Sequence, residues 1–354
     1  MPDQLKTAAS HLLKLPSLLY AATMIVRNLA YDLLPGLSRG VNMPTICVGN
    51  LTTGGTGKTP MVAFLARYFQ AQGLRVAVLS RGYGRKDKKK QEIITPDLGQ
   101  NELTPDKIGD EALMLRQQLK DITLVLDADR LRGAETICRK NLADIIILDD
   151  GFQHRRLRRK FNIVMIDSQQ VFGNRCLLPA GFLREPLSGL YRADAVIFNK
   201  FDQRHPEFYA QAAEVTNYVT PRKLFRAAYQ NRGFTAINGD RSLTLTEMQR
   251  LNPFATVSGL ANNDYFVKQL TAAGLDIKKS LSFKDHHVYT NKDIAEIKTI
   301  CQDLSLITTA KDADKLKAVI GNDQELRNNI WIAEIELKLE DENRFFALFA
   351  KLLP

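Results

Sequence analysis

Eight residues, Thr52-Thr53-Gly54-Gly55-Thr56-Gly57-Lys58-Thr59, have the types and order that hold a polyphosphate. Closely spaced glycines let backbone N–H groups turn inward around phosphate oxygens, and the start of a helix adds a favourable dipole. Lys58 has the charge and reach for the β- and γ-phosphates, and the Thr59 hydroxyl suits Mg²⁺. Thr53, Gly54, Gly55, Thr56, Gly57, Lys58 and Thr59 are therefore the expected nucleotide contacts. Thr52 stands where the pattern G-x-x-x-x-G-K-[ST] has its first glycine. The context fits all the same: the apolar run 44–48 precedes the loop, and 61–66 reads as a helix.

Further acids and bases are spaced along the chain. The apolar run 145–148 ends in Asp149-Asp150, where phosphate-loop enzymes place a magnesium-holding acid. Neighbours on a strand point to opposite faces, so the two carboxylates should differ in role. Gly109-Asp110-Glu111 opens a helical pattern; its acids either complement the helix dipole or supply a catalytic carboxylate over the γ-phosphate. Arg81, in Ser80-Arg-Gly-Tyr-Gly84, and Gln153, in Gly151-Phe-Gln-His154, sit in loops that follow strands, where α/β proteins bind ligands. The basic run 154–160 suits nucleic acid, anionic lipid or a substrate phosphate. Arg184-Glu185-Pro186 either meets phosphate and magnesium or forms a loop ion pair. Asp285-His286-His287 is a poor zinc site, because adjacent histidines on a strand diverge; one histidine in acid–base work or a plain surface turn fits it. Asn199-Lys200-Phe201-Asp202 mimics the guanine-reading N-K-x-D sequence.

These groups need a frame. Near-continuous apolar runs at 44–48, 75–79, 122–126, 144–149, 162–166 and 194–198 read as strands buried on both faces. Helical patterns at 60–72, 109–119 and 130–140 separate several of them. The expected class is α/β: a P-loop NTPase-like doubly wound parallel sheet with a second, smaller α/β domain. The expected organisation is a membrane-interface helix region over 1–30 and a P-loop core over 31–222. A smaller C-terminal domain with linker strands covers 223–340, and a final helix covers 341–354.

The chain has 354 residues and a net charge of +10, which favours anionic partners. Its four scattered cysteines form no C-x-x-C pair, so a reduced compartment is expected. Residues 15–26 lack charge and are flanked by Lys14 and Arg27, too short a stretch to span a membrane. An amphipathic helix lying in a membrane interface and a helix packed on the protein's own core both fit this stretch.

Together the segments 48–60, 80–84, 109–112, 149–154, 183–186, 258–259, 285–287 and 309–312 resemble the tetraacyldisaccharide 4′-kinase family, almost end to end. That family also carries Thr or Ser at the position of Thr52. The resemblance implies transfer of the ATP γ-phosphate to the 4′-hydroxyl of a tetraacylated glucosamine disaccharide 1-phosphate, giving lipid IVA, with ATP and Mg²⁺ as cofactors. It implies Asp110 as catalytic base and His286 as its partner. Thr59, Asp149 and Asp150 become the metal residues, and Asn50, Arg81, Gln153, Arg130, Arg184 and Glu185 weaker contacts to substrate, phosphate or magnesium. It further implies a monomer attached peripherally to the cytoplasmic face of the bacterial inner membrane, touching a lipid surface and no nucleic acid. The competing reading is a P-loop GTPase or ATPase switch that binds RNA or a protein partner, drawn from the N-K-x-D mimic and the basic runs.

Overall fold

The computed structural model describes residues 13–350 except 88–89, 99–102, 120, 202–205, 261, 286 and 302. The chain divides into two compact units, Met1–Ala228 with Leu337–Pro354, and Tyr229–Glu336.

The first unit opens with helix α1 (Lys14–Leu33) and continues β1 (Thr45–Gly49), α2 (Lys58–Ala71), β2 (Val76–Ser80) and β3 (Glu92–Ile94). It goes on with α3 (Asp110–Gln118), β4 (Thr123–Leu126), α4 (Arg130–Arg139), β5 (Ile145–Asp149), β6 (Phe161–Asp167), β7 (Ala195–Asn199), α5 (Pro206–Val215) and the start of β8 (Leu224–Ala236). The strands lie side by side as β3-β4-β2-β5-β1-β6-β7-β8. All neighbours are parallel except β3, which runs antiparallel to β4. This is the doubly wound α/β sheet the sequence predicts. Every residue of β1, β2, β4, β5 and β7 is buried, as strands covered on both faces require. The core between sheet and helices gathers Cys47, Leu79, Ile146, Leu148, Phe152 and Val164.

Two local devices fix the helices that border the site. The Asp129 side chain accepts from the N–H groups of Leu131 and Arg132 and so caps α4. Gly109 precedes α3 with φ at 87°, and a Cβ there would lie 2.1 Å from the Tyr83 carbonyl oxygen. Only glycine permits that approach.

Helix α1 is turned against the usual rule. Its buried residues are Ser17, Met24 and Asn28, whereas Leu15, Leu18, Leu19, Ile25, Val26, Leu29 and Leu33 are exposed. Polar bonds fasten the inner face: Ser17 Oγ donates to the Leu177 carbonyl (2.8 Å) and the Tyr20 hydroxyl to the Arg184 carbonyl (2.7 Å). Arg155 donates to the Asn28 carbonyl (2.9 Å). No helix among the described residues is long and apolar enough to cross a membrane.

In the second unit the later part of β8 pairs with the short β9 (Ser242–Leu243). The unit also contains the parallel strands β10 (Phe254–Ser258), β11 (Ile277–Ser282), β12 (Ser305–Thr309) and β13 (Ile330–Leu339), in the order β11-β10-β12-β13. Helices α6 (Asn263–Ala272), α7 (Asn291–Cys301) and α8 (Ala310–Ile320) accompany them. After β13 the chain rejoins the first unit as α9 (Glu342–Ala347). There Phe346 stacks on Tyr68 at 3.7 Å between ring centroids, Phe345 meets Phe225 edge-on at 5.2 Å, and Phe349 meets Phe69 at 5.6 Å.

Candidate active site

Because the strands are parallel, their C-terminal ends share one edge of the sheet. That edge carries Asn50 after β1, Ser80 on β2, Asp149 on β5, Asp167 on β6 and Asn199 on β7. Ligands of open α/β sheets bind outside this edge. The loop from β1 to α2 turns on Gly54 (φ 108°) and Gly57 (φ 87°), a conformation that strains other residues. A Cβ on Gly54 or Gly55 would meet nothing within 4 Å, so backbone shape, not crowding, demands glycine at Gly54. Gly49 is a different case: a Cβ there would fall 2.5 Å from the Phe152 Cβ.

Two loop amides are already committed. Thr53 N–H donates to the Phe182 carbonyl (2.8 Å), and Thr56 N–H to the Gly54 carbonyl (3.1 Å). Thr53 and Thr56, expected as nucleotide contacts, thus spend these donors on the shape of the loop. The Thr56 hydroxyl accepts from Asn50 Nδ2 at 3.0 Å.

Lys58, at the start of α2, holds its ammonium 3.7 Å from Asp150 Oδ1. Arg184 grips the same carboxylate through one nitrogen, 2.8 and 3.0 Å from its two oxygens. Burial would raise the Asp150 pKa, but Lys58, Arg184 and Arg130 outweigh it and hold the carboxyl below its usual range. Asp149 behaves oppositely. It is 2% exposed, and burial, reinforced by the charges of Glu111 and Asp150, pushes it up to about 7. Lys58 and a 3.1 Å bond from Ser80 Oγ pull the other way. Two adjacent carboxylates thus have separate protonation behaviour set by their surroundings.

Arg130 is buried at the start of α4 and donates to the Asp127 carbonyl at 2.6 Å, while its Nε has no hydrogen-bond partner. Burial lowers its pKa to about 10, so it stays charged at neutral pH. Arg130, His154 and Arg156 line a cleft of about 270 Å³. Burial, and then the charge of Arg130, depresses the His154 pKa to about 4. Asp110 begins α3 immediately after Gly109, whose backbone touches the 81–84 loop. Arg81 is exposed beside that contact.

Three of the expected contacts are bonded to one another or to the loop. Asn50 is fully buried and donates to Thr56. Gln153 donates to the Asn50 carbonyl and to Glu185 Oε1, both at 2.8 Å. Glu185, 1% exposed, also accepts from Asn28 (3.1 Å) and Arg192 (2.6 Å). A carboxylate so enclosed and so occupied braces the loop, and its ion pair with Arg192 is of the kind that one of the two readings of Arg184-Glu185-Pro186 describes. Asn50 and Gln153 likewise brace the loop from behind. Ser80 and Glu111 were not legible as partners of Asp149, because a serine at a strand end and a second acid at a helix start carry no signal of their own.

Among the described residues no three His, Cys, Asp or Glu side chains cluster as a metal site. Magnesium in phosphoryl transfer usually takes only one or two carboxylates, with water and substrate phosphates completing the shell. The hard oxygens of Asp149 and Thr59 match that donor set. His286 lies outside the described residues. In its unit, His287 Nε2 is 3.0 Å from Asp293 Oδ2, Lys311 pairs with Asp285, and Asp312 accepts from Gly259 N–H at 3.0 Å.

A glycine-turned loop ending in lysine, on a doubly wound sheet with paired acids at the end of the neighbouring strand β5, defines the P-loop NTPase class. A family model described as tetraacyldisaccharide-1-P 4′-kinase matches residues 9–354. The tetraacyldisaccharide 4′-kinase of Geobacter metallireducens is 35% identical over 358 residues, covering 100% of both chains. That of Syntrophus aciditrophicus is 34% identical over 356 residues, covering 97% of this chain and 92% of its own. LpxK from Aquifex aeolicus, solved in complex with ATP, superposes with a TM-score of 0.73 at 30% identity, covering 96% of this chain and 98% of that one. The chain belongs to the tetraacyldisaccharide-1-P 4′-kinase family, and the GTPase-switch reading is set aside.

Proposed function

We propose that this kinase transfers the γ-phosphate of ATP to the 4′-hydroxyl of a tetraacylated glucosamine disaccharide 1-phosphate, forming lipid IVA. The observation that carries the reading is the Lys58–Asp150–Arg184 cluster beside buried Asp149, in a chain of this family. Lys58 and the glycine loop hold the β- and γ-phosphates. Asp110 accepts the hydroxyl proton as the sugar oxygen bonds to the γ-phosphorus, and the bond to the β-phosphate oxygen breaks to release ADP. Arg130, Arg81 and Arg184 supply positive charge to phosphate, and His286 is the further acid–base candidate. Asp149 and Thr59 would hold Mg²⁺, with Asp150 beside them; the ion's chemistry there is to neutralise charge developing on the phosphates.

The lipid acceptor gives the exposed apolar face of α1 a role. Lying on the cytoplasmic face of the inner membrane, the helix would bring the protein, as a monomer, to its substrate. No nucleic-acid partner is needed. The organisation proposed is a kinase core with a smaller α/β domain.

The test uses γ-labelled ATP, Mg²⁺ and detergent-dispersed tetraacyl disaccharide 1-phosphate, with GTP and acceptor-free reactions in parallel. Label should enter the lipid only when ATP and acceptor are both present. Free phosphate released regardless of acceptor would overturn the assignment.

A further inference from the structure

The sequence Asn199-Lys200, which mimics a base-reading motif, does something else here. β7 ends at Asn199, and its Nδ2 donates to the Thr56 carbonyl of the phosphate loop at 3.0 Å. Lys200 follows in the left-handed conformation, φ 56°, uncommon for a residue with a side chain. Its ammonium donates to the Gly55 carbonyl at 3.1 Å and pairs with Asp167 at the end of β6. Asp167 Oδ1 in turn accepts from Gln169 N–H at 3.0 Å, and Gln169 Nε2 donates to the Lys200 carbonyl at 3.2 Å. The two strand ends are in register, Asp167 opposite Asn199. Lys200 is 8% and Asp167 7% exposed.

Burying a lysine–aspartate pair is a weak source of stability, because desolvation offsets much of the attraction. What this pair secures is geometry. Two consecutive loop carbonyls, Gly55 and Thr56, are each held by a side chain from one strand end. A phosphate loop binds through its N–H groups, so its carbonyl oxygens must be turned away from the anion. A carbonyl fixed to Lys200 or Asn199 cannot swing toward phosphate and repel it.

We propose that Asp167, Asn199 and Lys200 form a carbonyl brace that presets the phosphate loop for the triphosphate. They are positioning residues, and they act on the phosphates of the nucleotide, not on its base. The inference rests on the nucleotide-site reading above, yet its test does not require the acceptor.

The experiment measures equilibrium binding of a fluorescent ATP analogue with Mg²⁺ to the full chain, and its displacement by inorganic pyrophosphate. Losing one hydrogen bond from a charged donor weakens binding roughly tenfold. Lys200→Met should therefore raise the dissociation constants of both ATP analogue and pyrophosphate by about tenfold, by similar factors. Asp167→Asn should raise both by less, since the bond from Lys200 to Gly55 remains. A base-reading role predicts weaker ATP binding with pyrophosphate unchanged, and that result overturns the brace. A role in stability alone predicts a lower melting temperature with both constants unchanged, which also overturns it. If Lys200→Met does not fold, Asn199→Ser and Asp167→Asn carry the same two readouts. Wild-type protein that binds neither ligand would refute the nucleotide site itself, a distinct failure.

Discussion

Asp149 and Asp150 are neighbours in sequence and opposites in electrostatics: burial drives one upward, and Lys58 and Arg184 drive the other down. A sequence can show the pair but not the difference, because the charges that decide it come from residues dozens of positions away. Lys58→Ala removes the cation nearest Asp150 and the expected phosphate ligand, and should abolish measurable transfer in the labelled-ATP assay. Asp110→Ala should lower turnover by about 10²–10⁴, the usual worth of a general base, with the dissociation constant for ATP nearly unchanged. A variant retaining wild-type turnover would remove Asp110 from the chemistry. His154 gives a pH prediction. Its pKa in the folded protein, about 4, lies below the 6.5 of a free imidazole, so folding favours the neutral ring. The associated stability is complete above pH 6.5 and is lost as pH falls toward 4, by up to about 1.4 kcal/mol for each step of one in pH. Melting temperatures of ligand-free protein should fall through that window, and His154→Gln should flatten the curve there.

At the scale of elements, continuous apolar runs made the buried strands legible. β3, β9 and β11 escaped: the first two have three and two residues, and β11 reads Ile-Lys-Lys-Ser-Leu-Ser, a polar strand at the edge of its sheet. The orientation of α1 was not legible either, since a core helix and an interfacial helix share one apolar pattern. Bonds from Ser17, Tyr20 and Asn28 to residues more than 150 positions away turn the apolar face outward. Asn28 meets Glu185 across a similar distance, whereas Gln153 and Arg192 reach it from 32 and 7 positions away. Replacing Leu18 and Val26 together with serine should weaken co-sedimentation with anionic liposomes while shifting stability by less than about 1 kcal/mol, because both side chains are exposed. Unchanged sedimentation would deny α1 a membrane role. At the β1 terminus, Gly49→Ala should cost about 1–3 kcal/mol in chemical denaturation, because the added methyl collides with Phe152.

At the scale of the molecule, the last residues return to the first unit, a feature that no local pattern in the sequence carries. An amphipathic helix looks alike wherever it packs; the aromatic contacts of Phe345, Phe346 and Phe349 with Tyr68, Phe69 and Phe225 decide it. Phe345→Ala should destabilise the first unit by about 3–5 kcal/mol, read as a lower denaturation midpoint. This discontinuity also sets an order in time. A ribosome delivers residues 229–336 whole before it delivers 337–354. The second unit is therefore delivered while the first, begun earlier, still waits for the aromatic helix α9. The unit that carries the phosphate loop starts first and finishes last, so a chain interrupted near its end would leave the catalytic half, not the small one, unfinished.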